Sequence, residues 1–222
     1  PALQRGHRAR RLHAGFGAAS LLLQYVATVS QVIIAGTLVL YPIVGLWGWV
    51  PLRRFVVEIA PVQVVAASTQ SSLATLPAMI ECARDTLGVP QRVAGLVLPL
   101  AVAVFRYTSP IGNLSVCFFI AALYGFEPSL LQMATAVLVA FAVSVAAVGL
   151  PGQVSFITSV APICLALGLP VELLGILIAV EMVPDVFRTI GNVTGDLAVT
   201  TLAYRPEPVA AADQAAAGRP RR

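Results

Sequence analysis

The sequence predicts an all-α membrane protein whose transmembrane helices are interrupted by two re-entrant helical hairpins arranged as an inverted repeat. Three observations predict it. The 222 residues are 58% hydrophobic and only 11% charged, against about 25% charged in a soluble domain. Two apolar stretches are broken by Ser-, Gly- or Pro-rich sequence, at 68–77 and 149–153. A third apolar stretch carries a row of polar residues from Glu181 to Asp196.

The elements follow in order. Residues 1–13 form a basic head. Residues 14–50 are an apolar run, enough for a span of about 20 residues. Pro42, Gly45, Gly48 and the pair Trp47 and Trp49 are expected to mark its interfacial end. Arg53 and Arg54 fit a cytoplasmic edge. Residues 55–90 read as a first hairpin, two short helices meeting at Ser68-Thr69-Gln70-Ser71-Ser72-Leu73-Ala74-Thr75-Leu76-Pro77, with Gly88 and Pro90 as a stop. Neither half is comfortably long enough to span. Irregular backbone at membrane depth is tolerated only where it lines a cavity. Residues 93–125 form a span broken near Arg106, its single charge. Residues 129–170 read as a second hairpin with its tip at Gly149-Leu150-Pro151-Gly152-Gln153. Residues 171–204 are a final span carrying the polar row, and the tail 205–222 is expected to be disordered. Span, hairpin, broken span, hairpin, striped span is a plan that transporters use.

The polar row decides the functional reading. Stepping about 100° per residue from Asp185 places Glu181 near about −40°, Arg188 near about −60°, Asn192 near about −20°, Asp196 near about +20° and Thr189 near about +40°. Six polar groups share an arc of roughly 100° on an otherwise apolar helix. Charges inside a span cost a few kcal/mol each and mark solute or ion paths. The competing reading is a buried ion-pair network that only fixes helix packing.

Other function classes find little support. All fourteen basic residues are Arg, and seven lie in the tails (Arg5, Arg8, Arg10, Arg11, Arg219, Arg221, Arg222). The net charge of +4 is therefore a tail property and argues for contact with anionic lipid, with no nucleic-acid partner. Cys82, Cys117 and Cys164 read as buried small residues, and His7 and His13 form no ligand set. No Ser/His/Asp set, metal cluster or phosphate loop is present, so no enzyme and no cofactor are predicted. The chain starts at Pro1, which reads as a piece of a longer protein. The Arg-only basic content points to a GC-rich bacterial gene, hence a multi-pass protein of a bacterial inner membrane.

From about residue 20 to residue 204 the chain resembles the dicarboxylate/amino acid:cation symporters, the glutamate-transporter family. The likeness rests on Ser71-Ser72-Leu73-Ala74-Thr75-Leu76-Pro77, on Gly149-Leu150-Pro151-Gly152, and on Asp185-Val-Phe-Arg188-Thr189-Ile-Gly-Asn192-Val-Thr-Gly-Asp196. The resemblance implies the transport-domain half of a symporter for dicarboxylates or acidic amino acids, with a sodium ion or proton as coupling ion. It implies that Asp185 meets a substrate amino group and that Arg188 clamps a carboxylate through its planar fork. Thr189 and Asn192 would add hydrogen bonds, and Ser71 and Ser72 would cradle a carboxylate. Gly149, Pro151 and Gly152 would form a gate, and Asp196 would help hold sodium. The family's scaffold half, which would make a homotrimer, would precede residue 14.

The chain also departs from that family. Its middle helix usually carries Asn-Met-Asp-Gly-Thr at the break, where this chain has Phe105-Arg106-Tyr107-Thr108-Ser109. Arg106 is expected to stand in for a bound cation by pairing with Asp196 or Glu181, with Asn192 nearby; the plainer reading is packing or snorkelling. Gln70, Leu73 and Val186 also replace residues common in the family. Counting spans back from a cytoplasmic Arg205 places the basic head outside, which conflicts with its charge. An alternative function is therefore a non-coupled or degenerate protein of the same fold, acting as exchanger, sensor or anion pathway.

Overall fold

The computed structural model describes the backbone of residues 2–146 and 153–206, and the side chains of residues 17, 19–146 and 155–206. Among these every regular element is helical and none is a strand. Gly149, Pro151 and Gly152, expected to form a gate, and the tail from 207 lie outside the described residues.

Helix α1 runs Ala2–Trp47 without interruption at Pro42. Tyr25, Val29, Ile33, Thr37, Leu40 and Val44 are buried on one stripe, at steps of three and four residues. Leu23, Leu38 and Leu46 point outward, 70%, 58% and 75% exposed. A helix apolar on both faces with only one against protein is built for lipid or for a further helix on the other. Among the described residues, two helical runs are long and apolar enough to cross a membrane, Ala19–Trp47 and Gln91–Leu123.

The first hairpin differs in detail from the sequence reading. Helix α2 is Leu52–Thr69, so Arg53 and Arg54 belong to its first turn. Helix α3 is Ser72–Glu81, followed by a π-helical turn at Cys82–Thr86. The turn between helices is only Gln70 and Ser71. Gln70 takes a left-handed conformation at φ 49°, uncommon without glycine. The Ser71 hydroxyl accepts from Ala74 N–H at 3.2 Å, an N-cap that starts α3 five residues before Pro77. The base is tied where Arg54 donates to Thr86 O and where the Cys82 thiol lies 3.3 Å from Glu58 O.

Helices α4 (Gln91–Val104) and α5 (Thr108–Leu123) form the broken span, with Phe105, Arg106 and Tyr107 in the break. Helices α6 (Leu130–Ala146) and α7 (Gln153–Leu167) form the second pair. Ser129 and Gln132 make a reciprocal cap at the start of α6, at 2.9 and 3.3 Å. Gln132 also donates to Leu167 O at 3.2 Å, joining the start of α6 to the end of α7.

The final stretch is a four-residue helix α8 (Leu174–Leu177) and a long helix α9 (Met182–Ala203), not one continuous helix over 171–204. Pro184 is the physical reason. It has no N–H to give Val180 O, and that carbonyl accepts instead from Val183 N–H at 3.3 Å. The chain between α8 and α9 is wound in tight i→i−3 steps at Val180 and Val183.

Two apolar cores result. One joins the first half of α1 to α5, α6, α7 and α8. The other joins the second half of α1 to α2, α3, α4 and α9. The polar face of α9 lies against α1 and the α4–α5 break.

Candidate functional site

A cavity of about 180 Å³ opens between these elements. Gln70, Ser71 and Ser72 reach it from the first hairpin tip, Arg106 from the break, and Ser109 and Asn113 from α5. Ser144, Ser155 and Ser159 reach it from α6 and α7. Glu181, Asp185, Arg188, Thr189 and Asn192 reach it from the last stretch. The structure therefore brings Ser71, Ser72, Arg106, Glu181, Asp185, Arg188, Thr189 and Asn192 to one cavity. Asp196 does not line it.

The Arg188 guanidinium is the centre of the network. It is 6% exposed. Its Nη2 donates to Glu181 Oε1 at 2.6 Å and its Nη1 to Asp185 Oδ1 at 3.1 Å. The second Glu181 oxygen accepts from the Tyr25 hydroxyl of α1. Glu181 is thus held by Arg188 and Tyr25. Among the described residues, Arg188 Nε is buried without a hydrogen-bond partner. Gly112 of α5 makes room behind it: a Cβ there would sit 2.9 Å from Nε and 3.1 Å from Nη2.

Asn192 knits α9 to the start of α5. Its Oδ1 accepts from Thr108 N–H at 2.9 Å, and its Nδ2 donates to Ser109 Oγ at 3.0 Å. The Thr108 hydroxyl lies 2.7 Å from Arg188 O and 2.9 Å from Asn192 Oδ1, two acceptors for one proton. The break thus gives up backbone pairing within the span and recovers it from α9. The Thr189 hydroxyl donates to Asp185 O at 2.9 Å. Asp196 is 1% exposed, and neither carboxylate oxygen has a hydrogen-bond partner among the described residues. Such a group suits a cation. Yet no group of three or more His, Cys, Asp or Glu is placed to hold a metal ion among those residues.

Residues 10–205 match the family model described as the sodium:dicarboxylate symporter family. The chain belongs to that family. It is 32% identical over 176 residues to excitatory amino acid transporter 3 of Mus musculus, covering 78% of this chain and 33% of that protein. It is 35% identical over 142 residues to excitatory amino acid transporter 4 of Rattus norvegicus, covering 64% and 25%. It is 34% identical over 143 residues to neutral amino acid transporter A of Bos taurus, covering 64% and 27%. The chain spans a third or less of the length of these curated relatives. The symporter family is one of multi-pass membrane transporters, not of enzymes, and its description carries sodium as the coupling ion.

Several residues lining this cavity were not singled out from the sequence. Ser109 and Asn113 are four apart on α5, and Ser155 and Ser159 are four apart on α7. That spacing places each pair on one helix face, so a search for i, i+4 polar pairs within apolar helices would have found them. Tyr25 had no such signal, because its partner Glu181 lies 156 residues away.

Proposed function

We propose that this chain forms the solute-binding part of a secondary-active symporter. The solute is a dicarboxylate or acidic amino acid, and the coupling ion is sodium or a proton. The observation that carries this reading is Arg188: a buried guanidinium flanked by Asp185 and Glu181 at the wall of a cavity lined by serines. A guanidinium presents two parallel donors to a carboxylate. Asp185 offers an anion for an amino group, and Thr189 and Asn192 offer further hydrogen bonds. Ser71 and Ser72, at the start of α3, offer hydroxyls and backbone N–H groups to a second carboxylate. Gly149, Pro151 and Gly152 are proposed as the gate, and Asp196 as the residue facing the coupling cation. The two hairpins are taken as re-entrant and the two hairpin-plus-helix units as inverted repeats. The working assembly is a homotrimer formed through a scaffold half, in contact with lipid in a bacterial plasma membrane.

An exchanger or sensor of the same fold has one observation in its favour. Both terminal nitrogens of Arg188 are already engaged by internal carboxylates. Uptake of labelled aspartate and succinate into proteoliposomes separates the readings. The symporter reading expects uptake driven by a sodium or proton gradient and abolished by Arg188→Ala. Uptake only against internal counter-solute would replace it with exchange, and no uptake under any gradient would refute transport.

A further inference from the structure

We propose that the guanidinium of Arg106 is the resident counter-ion of Asp196, filling the role a transported cation would otherwise take, so that sodium does not bind at Asp196. The inference rests on the symporter reading and revises one part of it: the cation that Asp196 faces is a fixed guanidinium and not the coupling ion.

Asp196 is the buried acid whose carboxylate oxygens receive no hydrogen bond among the described residues. A carboxylate in that setting requires a nearby positive charge. Arg188 is not that charge, since Glu181 and Asp185 hold its terminal nitrogens. The α4–α5 break is placed to supply it. A Cβ on Gly195 would lie 3.3 Å from Tyr107 Cβ and 3.4 Å from Phe105 Cε1. Thr108 N–H meets Asn192 Oδ1 one turn earlier. Arg106 sits between Phe105 and Tyr107, so the break that meets α9 at Gly195 carries its guanidinium beside the turn that holds Asp196. The same side chain lines the solute cavity. Among the described residues it also feels Asp185 and Arg188.

A guanidinium stays protonated throughout the working pH range and brings five donors. A sodium ion at the same carboxylate would be a second cation beside a fixed one. The familiar consequence of a family name that includes sodium therefore does not carry over to this carboxylate.

The test uses thermal unfolding of the full chain in detergent and needs no solute. Wild type is expected to melt at the same temperature in sodium and in potassium chloride at equal ionic strength. Arg106→Met and Asp196→Asn are each expected to lower the melting temperature, the first by at least about 5 °C, because it leaves the buried Asp196 carboxylate without its counter-charge. The double variant is expected to melt above both. Additive losses would overturn the pairing. So would a sodium-specific rise for wild type that Asp196→Asn abolishes, the mark of an ion bound at that carboxylate. If a single variant fails to fold, a double variant that folds supports the pairing, and a double variant that also fails to fold overturns it. Failure of uptake in proteoliposomes would count against the transport reading and leave this test standing.

Discussion

Gly112 shows how a residue with no side chain shapes the site. It packs where α5 passes Arg188, and any Cβ there would press on the guanidinium. Gly112→Ala is expected to displace Arg188 from its Glu181 and Asp185 partners. The affinity for a dicarboxylate should fall at least about tenfold, about 1.4 kcal/mol. Titration calorimetry would read it, and an unchanged affinity would mean that the guanidinium does not meet the solute. The identities of Asp185, Arg188, Thr189 and Asn192 were legible in the sequence, because ionisable groups in an apolar helix stand out. Their partners were not. Tyr25 braces Glu181 from the other end of the chain, and Gly112 reads from sequence as an ordinary helix glycine.

The helices were legible as apolar runs, and their ends were not. Helical stepping put Glu181 and Arg188 on one face, and they do form an ion pair at 2.6 Å. It did not foresee that Pro184 would end the continuous helix and leave α8 as a separate turn. The break between α4 and α5 was visible from the polar cluster at Arg106. What satisfies it, Asn192 of α9, depends on packing between distant segments. That packing depends on Gly191, where a Cβ would strike Thr108 of α5 and Thr37 of α1 together. Gly191→Ala should cost about 1–3 kcal/mol by overpacking. This is a fall of several degrees in melting temperature, at about 2–4 °C per kcal/mol. Gly175→Ala, with nothing within 4 Å of the added carbon, should leave the melting temperature unchanged. Equal effects of the two would contradict the close approach of α1, α5 and α9.

The two apolar cores meet along α1, and the charged groups of the site lie where they meet. Composition alone announced a membrane protein, but not this division. The division depends on which face of each apolar helix is turned inward. On α6, Ala136, Ala140 and Ser144 are buried while Leu131, Leu138 and Phe141 are 77%, 71% and 58% exposed. Small residues face the protein and large apolar ones face outward, the reverse of a soluble core. Hydropathy has no means of sorting these faces, because both are apolar. Equilibrium binding of succinate and of its monocarboxylate analogue butyrate to wild type and to Arg188→Ala tests whether this buried cavity is a dicarboxylate site. Wild type should bind succinate and not butyrate, and Arg188→Ala should lose succinate by at least about a hundredfold, about 2.7 kcal/mol. Equal succinate affinity in the two proteins, or equal affinity of wild type for the two solutes, would contradict it.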